Sequence, residues 1–197
     1  MTGRGGLVLV HGRGSNAADM LRLASHLEVE HLAWRAPEAP GNTWYPQRFL
    51  APIASNEPWL SRALDTLDQE IAALADDAIA PEQTALLGFS QGACLVLEYA
   101  ARHARRWGAV IAFTGGLIGP DDAPRDYAGD FAGTPAFLGT ADPDPHVPVA
   151  RARESADILK GLGARVDLRI YPGMGHTVNG DELAAARALL APLGAGD

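Results

Sequence analysis

Short apolar and β-branched runs alternate along the chain with stretches whose apolar positions recur every three or four residues. The runs fall at Leu7 to Val10, Leu32 to Trp34, Thr84 to Leu87, Ala109 to Phe113, Ala136 to Leu138 and Val166 to Ile170, and they predict six strands. Helical spacing appears at Met20, Leu23, Ala24 and Leu27; at Leu64, Leu67, Ile71 and Leu74; and at Ala93, Val96, Leu97 and Ala100. Two further helices are predicted through Ala152, Ala156, Leu159 and Leu162 and through Leu183, Ala186 and Leu190. Asn16 with Asp19 and Asn179 with Glu182 each set a short polar acceptor three residues before an acid, so these two helices are expected to start near 17 and 180.

Strand and helix alternating over most of the chain imply an α/β fold, a mostly parallel sheet with helices on both faces reached by right-handed crossovers. The length of 197 residues fits one domain spanning 1–197, and no Pro/Gly/Ser-rich linker, repeat or low-complexity tract divides it. Ligands of such sheets bind beyond the carboxyl ends of the strands, which directs attention to the residues after each predicted strand.

After the third run comes Gly88-Phe89-Ser90-Gln91-Gly92, leading into the helical pattern from Ala93. A Gly-x-Ser-x-Gly between strand and helix is the nucleophile elbow, whose turn exposes the serine hydroxyl at the top of the sheet. Ser90 is therefore the candidate nucleophile. The alternative reading is a tight glycine turn with a helix-capping serine. Cys94 lies one turn inside the helix on its apolar face and reads as a buried small hydrophobe.

A serine nucleophile needs a base, and the base an orienting acid, which follow this type of elbow in the order Ser, acid, His. His176, in Tyr171-Pro172-Gly173-Met174-Gly175-His176 after the sixth run, is the expected base. His146 is the alternative base, or could line the site without that role; His11 is expected to be structural, and His26, His31 and His103 to be surface residues. Asp142, three residues beyond Gly139, is the expected acid, with Asp144 as the alternative. Two prolines and the lack of a distal Glu argue against a calcium loop at Asp142-Pro143-Asp144.

Acyl transfer also requires donors where negative charge develops. The backbone N–H of Gln91 is one expected donor. The loop His11-Gly12-Arg13-Gly14 after the first run supplies the second, the N–H of Arg13. No Gly-Lys-Ser/Thr follows these glycines, which excludes a phosphate-cradling P-loop. The Arg13 side chain has two readings, contact with an anionic substrate group or pairing with a surface acid.

These segments, with Asp142 and Val147-Pro148, resemble the small carboxylesterase/phospholipase-type α/β-hydrolases, among them bacterial esterases, lysophospholipases and acyl-protein thioesterases. The resemblance covers nearly the whole chain. It implies a single-domain α/β-hydrolase with a minimal cap, no cofactor and no metal, acting on esters of small or medium acyl groups; a homodimer is the one assembly it suggests. Pro143-Asp144-Pro145-His146 makes the path from Asp142 to Val147-Pro148 longer than is usual among those proteins. Thioester or lactone cleavage on the same triad, and a binding protein without turnover, are the alternative functions.

The segment from Ala36 to Trp59 holds Pro37, Pro40, Pro46, Pro52 and Pro58 beside Trp44, Tyr45, Phe49 and Ile53. It is too proline-rich for a regular element and too aromatic for a solvated loop. It is expected to fold over the sheet, with Trp44, Tyr45, Phe49 and Ile53 forming the substrate pocket.

Charge narrows the partners. The chain carries 24 acidic against 16 basic side chains, a net charge of -8, which repels nucleic acid and anionic membrane surfaces at long range. A single cysteine excludes an intrachain disulfide and suits a reducing compartment. The apolar run near the N-terminus is too short for a signal peptide, so a cytoplasmic protein acting on a small-molecule ester is expected.

Overall fold

In the computed structural model, which describes residues 5–194, all six strands form one parallel sheet in the order β2-β1-β3-β4-β5-β6. The strands are β1 (Gly6–Val10), β2 (Ala33–Arg35), β3 (Thr84–Phe89), β4 (Ala109–Phe113), β5 (Pro135–Asp142) and β6 (Arg165–Pro172). The helices are α1 (Ala17–Ser25), α2 (Trp59–Asp76), α3 (Gln91–Arg102), α4 (Val149–Gly161) and α5 (Gly180–Leu190). The opening residues 1–4, part of the stretch judged too short for a signal peptide, lie outside the described residues.

Side chains of β1 part alternately to two cores. Val8 and Val10 join Leu67 of α2, Leu95 of α3 and Leu159 of α4, whereas Leu7 and Leu9 join Met20 of α1 and Leu190 of α5. Both faces are thus covered, which is why β1 and β4 read as unbroken apolar runs and not as alternating ones.

Caps fix the helix starts that were legible in the pattern. Asn16 accepts the Asp19 amide, and Asn179 with Glu182 forms a reciprocal capping box. The strand order reverses between β1 and β3, so the crevice for a ligand opens above their carboxyl ends. Over this crevice folds the 36–59 segment, whose only regular pieces are single 3-10 turns at Pro40–Asn42 and Ile53–Asn56.

Candidate active site

Ser90 sits between β3 and α3 at φ 54°, ψ -117°, a conformation that costs a non-glycine residue of order 1–3 kcal/mol and persists only where the surroundings impose it. They do so through packing. A Cβ on Gly92 would lie 2.1 Å from the Val10 carbonyl oxygen, and one on Gly88 would lie 2.3 Å from the Gly92 oxygen. Only glycine lets the elbow press this closely on β1. The Ser90 amide donates to the Phe113 carbonyl at 2.9 Å, anchoring the turn to β4 as well.

The imidazole of His176 bridges Ser90 and a carboxylate. Its Nε2 lies 2.8 Å from Ser90 Oγ, and its Nδ1 lies 2.9 Å from Oδ2 of Asp144. His176 stands in the loop between β6 and α5, after Gly173 and Gly175, both at positive φ, and three residues before the Asn179 cap. The rings of His146 and His176 meet edge-on with centroids 4.7 Å apart, so His146 lines the site while His176 holds Ser90 Oγ.

The expected acid, Asp142, is not the one beside the histidine. β5 runs four residues beyond the predicted end at Leu138, so Asp142 is its final residue, in register with Pro172 and with its side chain exposed. Asp144 lies in the turn above. Its Oδ1 accepts the amides of His146 and Val147, each at 2.8 Å, which leaves Oδ2 for His176. Burial of this carboxylate, whose side chain has no exposed surface, pushes its pKa up; the two amides and the imidazole outweigh that, and the pKa lies below the ordinary value. The signal was present in the sequence, since an Asp two and three residues before free amides is an Asx turn, and Asp144 reaches Val147-Pro148 by the direct path.

The amides of Arg13 and Gln91 donate to no other group among the described residues. Both residues line the cavity at Ser90, and their side chains have a separate task. The Arg13 guanidinium donates to the carbonyls of Tyr45, Pro46 and Gln47 at 2.8 to 3.0 Å. Gln91 accepts the Trp44 amide at 3.0 Å and donates to the Tyr45 carbonyl at 2.8 Å. Arg13 thus pairs with no surface acid, and three of its donors are committed to backbone carbonyls.

A cavity of about 460 Å³ opens at Ser90. Tyr45 and Phe49 line it together with Phe89 and Val147. Trp44 and Ile53, expected in the same wall, do not. Trp44 lies behind it, its ring tilted 35° against that of His11 and its indole N–H on the His11 carbonyl, and Ile53 lies beside Gly119. His11 is fully buried, accepts the Ala39 amide at Nε2 and bonds the Gly12 carbonyl through Nδ1, the structural role expected of it. Burial pushes the Cys94 thiol at the cavity floor up to about 12, which leaves it un-ionised at neutral pH.

Among the described residues no three His, Cys, Asp or Glu side chains converge as a metal-binding group, and no helix is long and apolar enough to cross a membrane.

A parallel sheet with a serine elbow at the switch point, and an imidazole and a carboxylate delivered from the ends of β6 and β5, defines an α/β-hydrolase. The chain belongs to the phospholipase/carboxylesterase family, whose model matches residues 4–193. It is 45% identical to a phospholipase/carboxylesterase from Dyadobacter fermentans DSM 18053, with a TM-score of 0.93 over 96% of this chain and 90% of that one. The crystal structure of esterase PE8 is 31% identical, with a TM-score of 0.81 over 98% of this chain and 94% of that one. Acyl-protein thioesterase 1 of Gibberella zeae is 34% identical over 133 residues, 63% of this chain and 52% of that protein. The chain thus matches about half the length of that relative. It is a carboxylesterase-type hydrolase.

Proposed function

We propose that the protein hydrolyses carboxylic esters of small or medium acyl groups through a Ser90-His176-Asp144 triad and an acyl-enzyme. The observation that carries this reading is the unbroken chain from Asp144 Oδ2 through His176 to Ser90 Oγ, ending at the mouth of the cavity.

Ser90 Oγ attacks the ester carbonyl as its proton passes to His176 Nε2, and Asp144 holds the ring's other N–H and stabilises the imidazolium. The oxyanion is received by the Arg13 and Gln91 amides, each contributing about 3 kcal/mol of barrier lowering. Collapse expels the alcohol, which takes the proton back from His176. Water, deprotonated by the same ring, then attacks the acyl-enzyme and releases the acid. Tyr45, Phe49 and Phe89 form the apolar wall for the substrate.

The test is labelling by a fluorophosphonate together with hydrolysis of p-nitrophenyl esters of two to twelve carbons. Labelling and turnover are both expected to vanish in Ser90→Ala; a mutant still labelled would refute the assignment. The likeness to Acyl-protein thioesterase 1 supports a second reading, thioester cleavage on the same residues. Rates on an oxyester and a thioester with one acyl group decide between them.

A further inference from the structure

The protein is acidic, with 24 acids against 16 bases, yet no Asp or Glu lines the cavity at Ser90. The ionisable side chains on its walls besides Cys94 and Tyr45 are Arg13, Arg48, His146 and His176. His176 is engaged by Ser90 and Asp144, and Arg13 by three backbone carbonyls. Arg48 differs from both. Among the described residues its guanidinium makes no hydrogen bond or ion pair; the same holds for Arg62, Arg105 and Arg153, but of these four only Arg48 lines the cavity.

The backbone that carries Arg48 is held firmly even though its head group is free. Asn56, fully buried, accepts the Gln47 amide at 2.8 Å and donates to the Arg48 carbonyl at 3.3 Å. The next residue, Phe49, accepts the Gly119 amide at 2.7 Å. An exposed, unspent guanidinium on a held backbone at the rim of a cavity without acids suits a negative charge.

We propose that Arg48 binds an anionic group, a carboxylate or a phosphate, on the ester substrate, so that the enzyme prefers anionic esters to neutral ones of the same shape. The inference rests on the ester-hydrolase reading above and names its substrate class. The acidic remainder of the surface does not oppose this, because beyond a Debye length of about 8 Å at physiological salt the distant charges are screened.

The test compares matched pairs. Mono-4-nitrophenyl adipate is set against its methyl ester for an anion on the acyl side, and 4-butyryloxybenzoate against its methyl ester for the alcohol side. The 4-butyryloxyphenyl phosphate arm distinguishes phosphate from carboxylate. In each variant the readout is the ratio of kcat/KM for the anionic ester to that for the neutral one, which cancels differences in active fraction. The wild type is expected to favour at least one anionic ester by about fivefold or more, the strength of a charge-assisted contact that is partly solvated. The ratio should fall to about one in Arg48→Gln, be partly kept in Arg48→Lys, and drop below one in Arg48→Glu. Hydrolysis of the neutral esters with no anionic preference, or a preference unaltered in Arg48→Glu, overturns this inference alone. Failure to hydrolyse any of the esters overturns the ester-hydrolase reading and this inference with it.

Discussion

Asp144 meets Nδ1 of His176 at 2.9 Å, while Asp142, two residues earlier, ends its strand with an exposed side chain. The two carboxylates are therefore expected to differ sharply on mutation. Asp144→Asn, which loses the charge that selects the ring tautomer, should lower kcat by about 10⁴-fold. Asp142→Asn should change it by less than about threefold. Steady-state kinetics on one p-nitrophenyl ester check both, and the reverse ranking would return the acid's role to Asp142.

Glu182 gives a pH-dependent stability. It is fully buried, its Oε1 has no partner, and a Cβ on Gly139 of β5 would lie 2.1 Å from that oxygen. Burial pushes its carboxyl from 4.5 up to about 7, against the lowering effect of the Asn179 amide and with help from the charge of Asp181. Between those pH values the folded state holds a proton that the unfolded chain has lost, so this group's contribution declines as pH rises. Glu182→Gln keeps the capping acceptor without the ionisation. Urea unfolding is expected to find the variant more stable than wild type by about 1–3 kcal/mol at pH 8, with the gap closing toward pH 5.

Arg13 ties the loop after β1 to the pocket wall. Arg13→Ala should raise KM and cost about 1 kcal/mol of stability, a modest figure because the three contacts are partly solvated. Arg13→Lys should behave much like the alanine variant, since one ammonium cannot span three successive carbonyls as a planar guanidinium does. Full recovery in Arg13→Lys would show that charge alone suffices there.

Two glycines should respond in opposite directions to alanine. Gly92→Ala forces a methyl into the Val10 carbonyl and is expected to destabilise by about 3 kcal/mol or more, with loss of activity. Gly161, at the end of α4, has nothing within 4 Å of the added carbon, and Gly161→Ala should stabilise by about 0.5 kcal/mol. Thermal unfolding of the two variants beside wild type reads both effects.

The six strands, the five helices and the two capped helix starts were legible because each follows from a local period or a three-residue polar spacing. Ser90 and His176 were legible for the same reason, each lying in a glycine-marked turn just past a strand. Asp144 was ranked behind Asp142 because strand ends are the least determined feature of a local pattern. β5 gains Ala141 and Asp142 by pairing with Tyr171 and Pro172 of β6, a partner distant in sequence. Trp44 and Ile53 illustrate the same limit, since aromatic and apolar character alone does not tell a cavity wall from the layer that supports it.

What the sequence determined by itself is the order of elements and the chemistry available at their ends, because hydrophobic period and glycine turns act over a few residues. The tertiary structure decided which of two neighbouring aspartates reaches the imidazole, that Arg13 serves the backbone while Arg48 stays free, and which side chains face the cavity. Each of these depends on distances set by strand register and by the path of the 36–59 segment, which arise only when the remote parts of the chain pack together.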